Sequence, residues 1–107
     1  MNIKTNNEEK RDYALLGLRE VYDREIGLNI VDLGLVYELY FDDADRKLVC
    51  FMTLTTQFCP MGDAITADTR NALISSFLGW EITLNLVFEP EWNFSMISSE
   101  GREFLGR

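Results

Sequence analysis

Two cysteines, Cys50 and Cys59, are the softest ligands and strongest nucleophiles this sequence holds, and no histidine accompanies them. Their settings differ. Cys50 lies inside the apolar run LVCFMTLT (48–55), where a thiol serves as a small buried hydrophobe. Cys59 lies in TLTTQFCPMG (53–62), between a β-branched run and a helix expected to begin at Pro60. Proline suits a first helical position because its missing N–H would be unpaired there anyway. A thiol one residue earlier faces the positive end of the helix dipole, a setting that lowers its pKa below the free value of ~8.5. The thiolate so favoured attacks electrophiles and binds soft metals. A second reading stays open, in which Cys59 is a small apolar residue without chemistry.

Several chemistries fall away. Without histidine, neither a Cys–His nucleophile pair nor a His-containing zinc site can form in one chain. A nucleophilic enzyme built on Cys59 therefore lacks its usual base, and a non-catalytic role is the stronger expectation. Two cysteines at positions 50 and 59 match no zinc or ferredoxin spacing. No GxGxxG or GxxxxGK[ST] run supports nucleotide binding. The carboxylate pairs Asp23/Glu25 and Glu89/Glu91 fall in turns, where paired charges are commonly just solvated.

Ten basic against eighteen acidic residues give a formal charge of −8, which disfavours nucleic acid and anionic membrane surfaces as partners. The 107 residues fit one domain, 1–107, and 47% hydrophobic residues suffice for a core. Residues 1–7 are expected to be flexible. MNIKTNNEEKRDY has no apolar signal core and no run is long enough to span a membrane, so a reducing cytoplasm with free thiols is expected.

The elements that must position Cys59 follow from periodicity. Asn6 or Asn7 can cap a helix over 8–22, with Ala14, Leu18 and Val21 on its apolar stripe. DREIGLN (23–29) reads as a turn. Strands are expected at 35–41, 48–55 and 81–88, the second apolar on both faces as a central strand is. DDADRK (42–47) reads as a hairpin loop, 61–78 as a helix ended by Gly79, and 99–105 as a last helix capped by Ser98. The order α-β-β-α-β-α predicts an α+β single-domain two-layer sandwich, a three-stranded sheet with helices on one face.

Three stretches, DREIGLNIVDLGLVYEL (23–39), TLTTQFCPMG (53–62), and EPEW followed by MISSEGREFLG (96–106), resemble the SufT/PaaD-like family of metal–sulfur cluster biosynthesis proteins. That family includes the small subunit of the eukaryotic cytosolic iron–sulfur targeting complex. The likeness spans about residues 10–106. The family's Asp-Pro-Glu turn falls at Asp23-Arg24-Glu25, without its proline, so a looser turn is expected. Its VDLGLVY segment is intact from Val31 to Tyr37, and its P-x-W element is Pro90-Glu91-Trp92. Its T-x-P-x-C-P corner is Thr55-Thr56-Gln57-Phe58-Cys59-Pro60, with glutamine for the first proline. The cysteine-rich extension of PaaD-type members does not follow, which favours the SufT-like branch.

The resemblance implies an iron–sulfur cluster assembly or maturation factor that helps deliver clusters to client proteins. It makes Cys59 a metal ligand, with Thr55 and Thr56 as hydrogen-bond donors to sulfur and Asp32, beside the Asp23–Glu25 turn, as the acidic side of the pocket. Asp32 equally suits a local turn or cap, and Trp92 reads as a core or interface aromatic. One thiol cannot hold a cluster that takes four ligands. A transient cluster or iron is therefore shared between two subunits of a homodimer or with an assembly partner or client. In the alternative, a non-metal-binding adaptor, Cys59 is structural.

Overall fold

The structure, a computed structural model, describes residues 3–56 and 62–106. Along the chain run β1 (Lys4–Thr5), α1 (Glu8–Leu18), β2 (Tyr22–Asp23), β3 (Leu28–Asn29), α2 (Ile30–Leu33), β4 (Val36–Asp42) and β5 (Lys47–Met52). Then come α3 (Gly62–Ser76), β6 (Glu81–Leu86), a 3-10 turn at Phe94–Met96 and α4 (Ser99–Leu105).

The expected three-stranded sheet is instead a mixed four-stranded one, ordered β1-β4-β5-β6, with a separate two-stranded ribbon of β2 and β3. β4 and β5 form the anticipated antiparallel hairpin, with Leu39 opposite Cys50, and β6 runs parallel to β5, with Cys50 opposite Leu84. The extra strand, β1, comes from the segment expected to be flexible and pairs parallel with β4, Lys4 opposite Glu38. Its sequence is polar and two residues long, so no periodicity announces it. Asn6 extends the ladder with its side chain: Nδ2 donates to Phe41 O (2.8 Å), and Oδ1 accepts from Phe41 N–H (2.9 Å).

Alternation along β4 and β5 places Leu39, Phe41, Leu48, Cys50 and Met52 in one buried cluster with Ala14, Leu15 and Leu18 of α1 and Ile65 and Leu73 of α3. Each of the Leu, Ile, Phe and Met side chains among them contributes roughly 1.5–3 kcal/mol when removed from water. Phe41 adds ring contacts to Phe77 (5.4 Å) and Trp80 (6.3 Å). Tyr40, Val49 and Phe51, on the opposite face, stay half-buried.

Local chemistry sets the ends. Asn7 caps α1 by accepting from Lys10 N–H (3.0 Å). The helix stops at Leu18 rather than near Tyr22, because Val21 and Tyr22, which continue its apolar spacing, turn to the ribbon: Val21 O accepts from Ile30 N–H (2.9 Å) and Tyr22 pairs with Asn29. β5 ends at Met52 and β6 at Leu86, both short of expectation. Their pairing continues irregularly, with Thr53 N–H donating to Leu35 O (2.8 Å) and Val87 N–H to Met52 O (2.8 Å). After α3, Gly79 takes a φ of 84°, a left-handed turn that side chains resist. Ser98 caps α4 as read, accepting from Gly101 N–H (3.0 Å).

Candidate functional site

The VDLGLVY segment is where the motif stretches meet. Asn29 caps α2, its Oδ1 accepting from Val31 N–H (3.0 Å) and Asp32 N–H (2.9 Å). Its amide donates to Asp32 Oδ2 (2.8 Å), while the Ser98 hydroxyl donates to Asp32 Oδ1 (2.9 Å) and Ser98 N–H to Asp32 O (2.8 Å). Both carboxylate oxygens of Asp32 are thus used, and α2 is clamped to the cap of α4. Asn29, not Asp32, caps the local backbone.

Gly34 follows with a φ of 80°, and a Cβ there would collide with Met96 O, so a side chain is excluded twice over. Leu33 O accepts from the Trp92 indole N–H (2.7 Å), which makes Trp92 a half-buried anchor of the C-terminal segment. The Tyr37 hydroxyl donates to Pro90 O (2.8 Å), lies 3.5 Å from Met96 Sδ and shares a hydrogen bond with the Thr53 side chain. Burial pushes the Tyr37 phenol above its ordinary pKa, and the Thr53 bond offsets part of that rise.

This junction borders a groove of about 820 Å³ whose wall includes Lys4, Tyr37, Glu38, Pro90, Met96 and Arg102. Asp32 borders a second, smaller cavity of about 340 Å³. The other acids lining it are Glu100 and Glu103 of α4, while Asp23 and Glu25 do not line it. Asp23 is buried, and its Oδ1 accepts from Glu25 N–H (3.0 Å) and Ile26 N–H (3.4 Å). Gly27 N–H also donates to Asp23 O (2.7 Å), so the turn lacking the family's proline is closed by hydrogen bonds. Glu25 is exposed.

Cys59 lies outside the described residues, together with Gln57, Phe58, Pro60 and Met61. Thr55, half-buried, and Thr56, exposed, lead from the end of β5 toward that stretch and line neither cavity. Cys50 is fully buried, and burial pushes its thiol up to about 12, leaving it a protonated core side chain. Among the described residues no group of three or more Cys, Asp or Glu is placed to hold a metal ion. Residue-by-residue reading missed Asn29, Gly34 and Tyr37 as organisers. Asn29 had a local signal, an Asn followed three residues later by Asp as in a capping box.

A family model described as iron–sulfur cluster assembly protein matches residues 15–82, a span that includes VDLGLVY and the Cys59 corner. The chain is 43% identical over 89 residues to the Fe-S protein maturation auxiliary factor of Porphyromonas gingivalis, which covers 83% of this chain and 84% of that protein. It is 38% identical over 86 residues to the Fe-S protein maturation auxiliary factor SufT of Staphylococcus aureus, covering 80% of this chain and 97% of that one. The crystal structure of a domain of unknown function, DUF59, from Bacillus anthracis superimposes with a TM-score of 0.85 at 33% identity, over 92% of this chain and 93% of that one. With the fold and the motif junction in agreement, the chain belongs to the SufT-like iron–sulfur cluster assembly protein family.

Proposed function

We propose that this protein is an iron–sulfur protein maturation factor of the cytoplasm that helps deliver clusters to client apoproteins, with Cys59 as a transient thiolate ligand. The observation that carries the reading is the family match over residues 15–82, with relatives named as Fe-S maturation auxiliary factors. Ligand count shapes the mechanism. The chain has two cysteines and no histidine, and one of the two, Cys50, is buried and protonated. A cluster takes four ligands, so the cargo is completed by a second subunit, an assembly protein or the client. Thr55 and Thr56, four and three residues before Cys59 in sequence, donate hydrogen bonds to sulfur, and Asp32 contributes negative charge from the α2–α4 clamp.

Anaerobic reconstitution with iron and sulfide, followed by absorption spectroscopy and sizing, tests this. Wild-type protein is expected to gain a cluster signal only in a species larger than the monomer, and Cys59→Ser is expected to lose it. A cluster on the monomer, or one retained in Cys59→Ser, overturns the ligand assignment. In cells, a deletion strain is expected to lose activity of cluster-dependent enzymes under iron limitation.

A second reading is an adaptor that holds no metal. Phe94, 74% exposed and set 5.5 Å from Trp92, gives it an aromatic contact point. Full complementation of the deletion strain by Cys59→Ser would favour this reading over the first.

A further inference from the structure

The outer edge of β6 turns backbone groups away from β5 in a defined order. Glu81 N–H donates to Arg46 O (2.8 Å) and Val87 N–H to Met52 O (2.8 Å), and the register with β5 runs unbroken between them. In a parallel ladder alternate residues bond toward the same neighbour. Glu81, Thr83, Asn85 and Val87 therefore bond toward β5, while Ile82, Leu84 and Leu86 turn their N–H and C=O groups outward. Arg70 Nη1 donates to Ile82 O (3.0 Å), which agrees with an outward carbonyl. Among the described residues no strand pairs with this edge.

Edge strands usually carry protection such as lysine, proline, a bulge or a covering element. β6, EITLNL, has neither lysine nor proline, its pairing has no bulge, and its single charge, Glu81, sits at its first residue. Leu86 is 43% exposed on the strand itself. Ile74, 44% exposed, lies one helical turn from Arg70, and Leu78, 79% exposed, follows just past the helix.

We infer that β6 is a self-pairing edge, through which two copies of this chain join antiparallel about a two-fold axis at Leu84. Four strands from each copy then form one continuous sheet. The strand is complementary to itself in this register. Leu84 faces the partner's Leu84, Ile82 faces the partner's Leu86, and Thr83 faces the partner's Asn85. Every outward N–H and C=O at 82, 84 and 86 is paired, and opposed side chains share a face. A two-residue slip leaves one end unpaired. Glu81 falls outside the paired positions, so a chain of net charge −8 meets itself without opposed carboxylates. Ile82 O accepts both Arg70 and the partner's amide, since a carbonyl has two lone pairs.

This dimer is separate from cluster sharing. Antiparallel joining sends one copy's Thr55 and Gly62, which flank Cys59 in sequence, to the end of the joined sheet opposite the partner copy's pair. It therefore forms without iron and is unaffected by Cys59→Ser.

Sedimentation equilibrium of the full chain without iron tests it. Wild type is expected to dimerise. Thr83→Glu with Asn85→Glu opposes like charges in both cross-strand pairs and should weaken the dimer roughly tenfold or more. The corresponding lysine pair, Thr83→Lys with Asn85→Lys, should do the same, and an equimolar mixture of the two variants should restore a 1:1 heterodimer. A wild type monomeric at every concentration, or a dimer that persists in both variants, overturns the proposal. Hydrogen exchange gives a readout without variants: the amides of Ile82, Leu84 and Leu86 should slow as protein concentration rises, while those of Thr83 and Asn85 hold steady. Concentration-independent exchange at all five amides would also overturn it.

Discussion

In β5, Leu48, Cys50 and Met52 are fully buried; their lateral neighbours in β6, Ile82, Leu84 and Leu86, are half-buried at best. Both strands alternate, and the paired residues sit side by side on one face. The difference lies in the neighbours, since among the described residues β5 has a strand on each side and β6 has one. Alternation in a sequence reports which face a residue takes. How deep that face lies depends on lateral neighbours supplied from elsewhere in the chain.

The largest expected contrast is in packing. Met52→Ala should destabilise by about 2–5 kcal/mol, the usual range for a large-to-small change in a closed core. Leu86→Ala, at the open edge beside it, should fall below about 1 kcal/mol. Urea unfolding of both variants makes the comparison, and equal losses would break it.

A second test uses pH. The Cys50 thiol is raised from 9.0 to about 12 by burial, so the folded state keeps a proton that the unfolded state loses between those values. Stability should be unaffected by this group below pH 9 and fall as pH rises from about 9 to about 12, by roughly 1.4 kcal/mol per pH unit. Cys50→Ala should remove that part of the slope, while lysine and tyrosine titrations remain common to both proteins. Near neutral pH, a thiol reagent should modify Cys59 in the native protein and reach Cys50 only on unfolding. Matching rates for the two thiols would count against the contrast between the buried strand and the Cys59 corner.

The smallest effect concerns the edge. Two chains of charge −8 repel one another at long range. Raising salt well above 0.1 M, where the Debye length is ~10 Å, should therefore tighten the β6 dimer a few-fold. Sedimentation at low and high salt measures this. A dimer that loosens with salt would instead point to charge pairing across the interface.

The hairpin of β4 and β5, helix α3, strand β6 and the caps at Asn7 and Ser98 were legible because each rests on local alternation, helical spacing or cap chemistry. β1, the β2–β3 ribbon and α2 were not, being two to four residues long and held by distant partners. The motif segment Val31–Tyr37 was recognised through its resemblance, but its physical work was hidden. Tyr37 meets Pro90 across 53 residues and Asp32 meets Ser98 across 66, separations that no window along the chain can read. Gly34 combines a left-handed turn with close contact to Met96, a partner far along the chain. The residue on which the sequence reading leaned most, Cys59, lies outside the described residues, so its role rests on sequence position and family.

The C-terminal segment from Pro90 to Leu105 reaches the body through Tyr37, Leu33 and Asp32, by side-chain and capping bonds, with no rung of the sheet among the described residues' bonds to it. Ile97 is its buried apolar side chain among the described residues. Because the four strands pair without it, such a segment is expected to open locally while the sheet stays intact. The surface uncovered would be Gly34 and Tyr37 on the body, while Trp92, part of the strap that closes the motif junction, would leave with it.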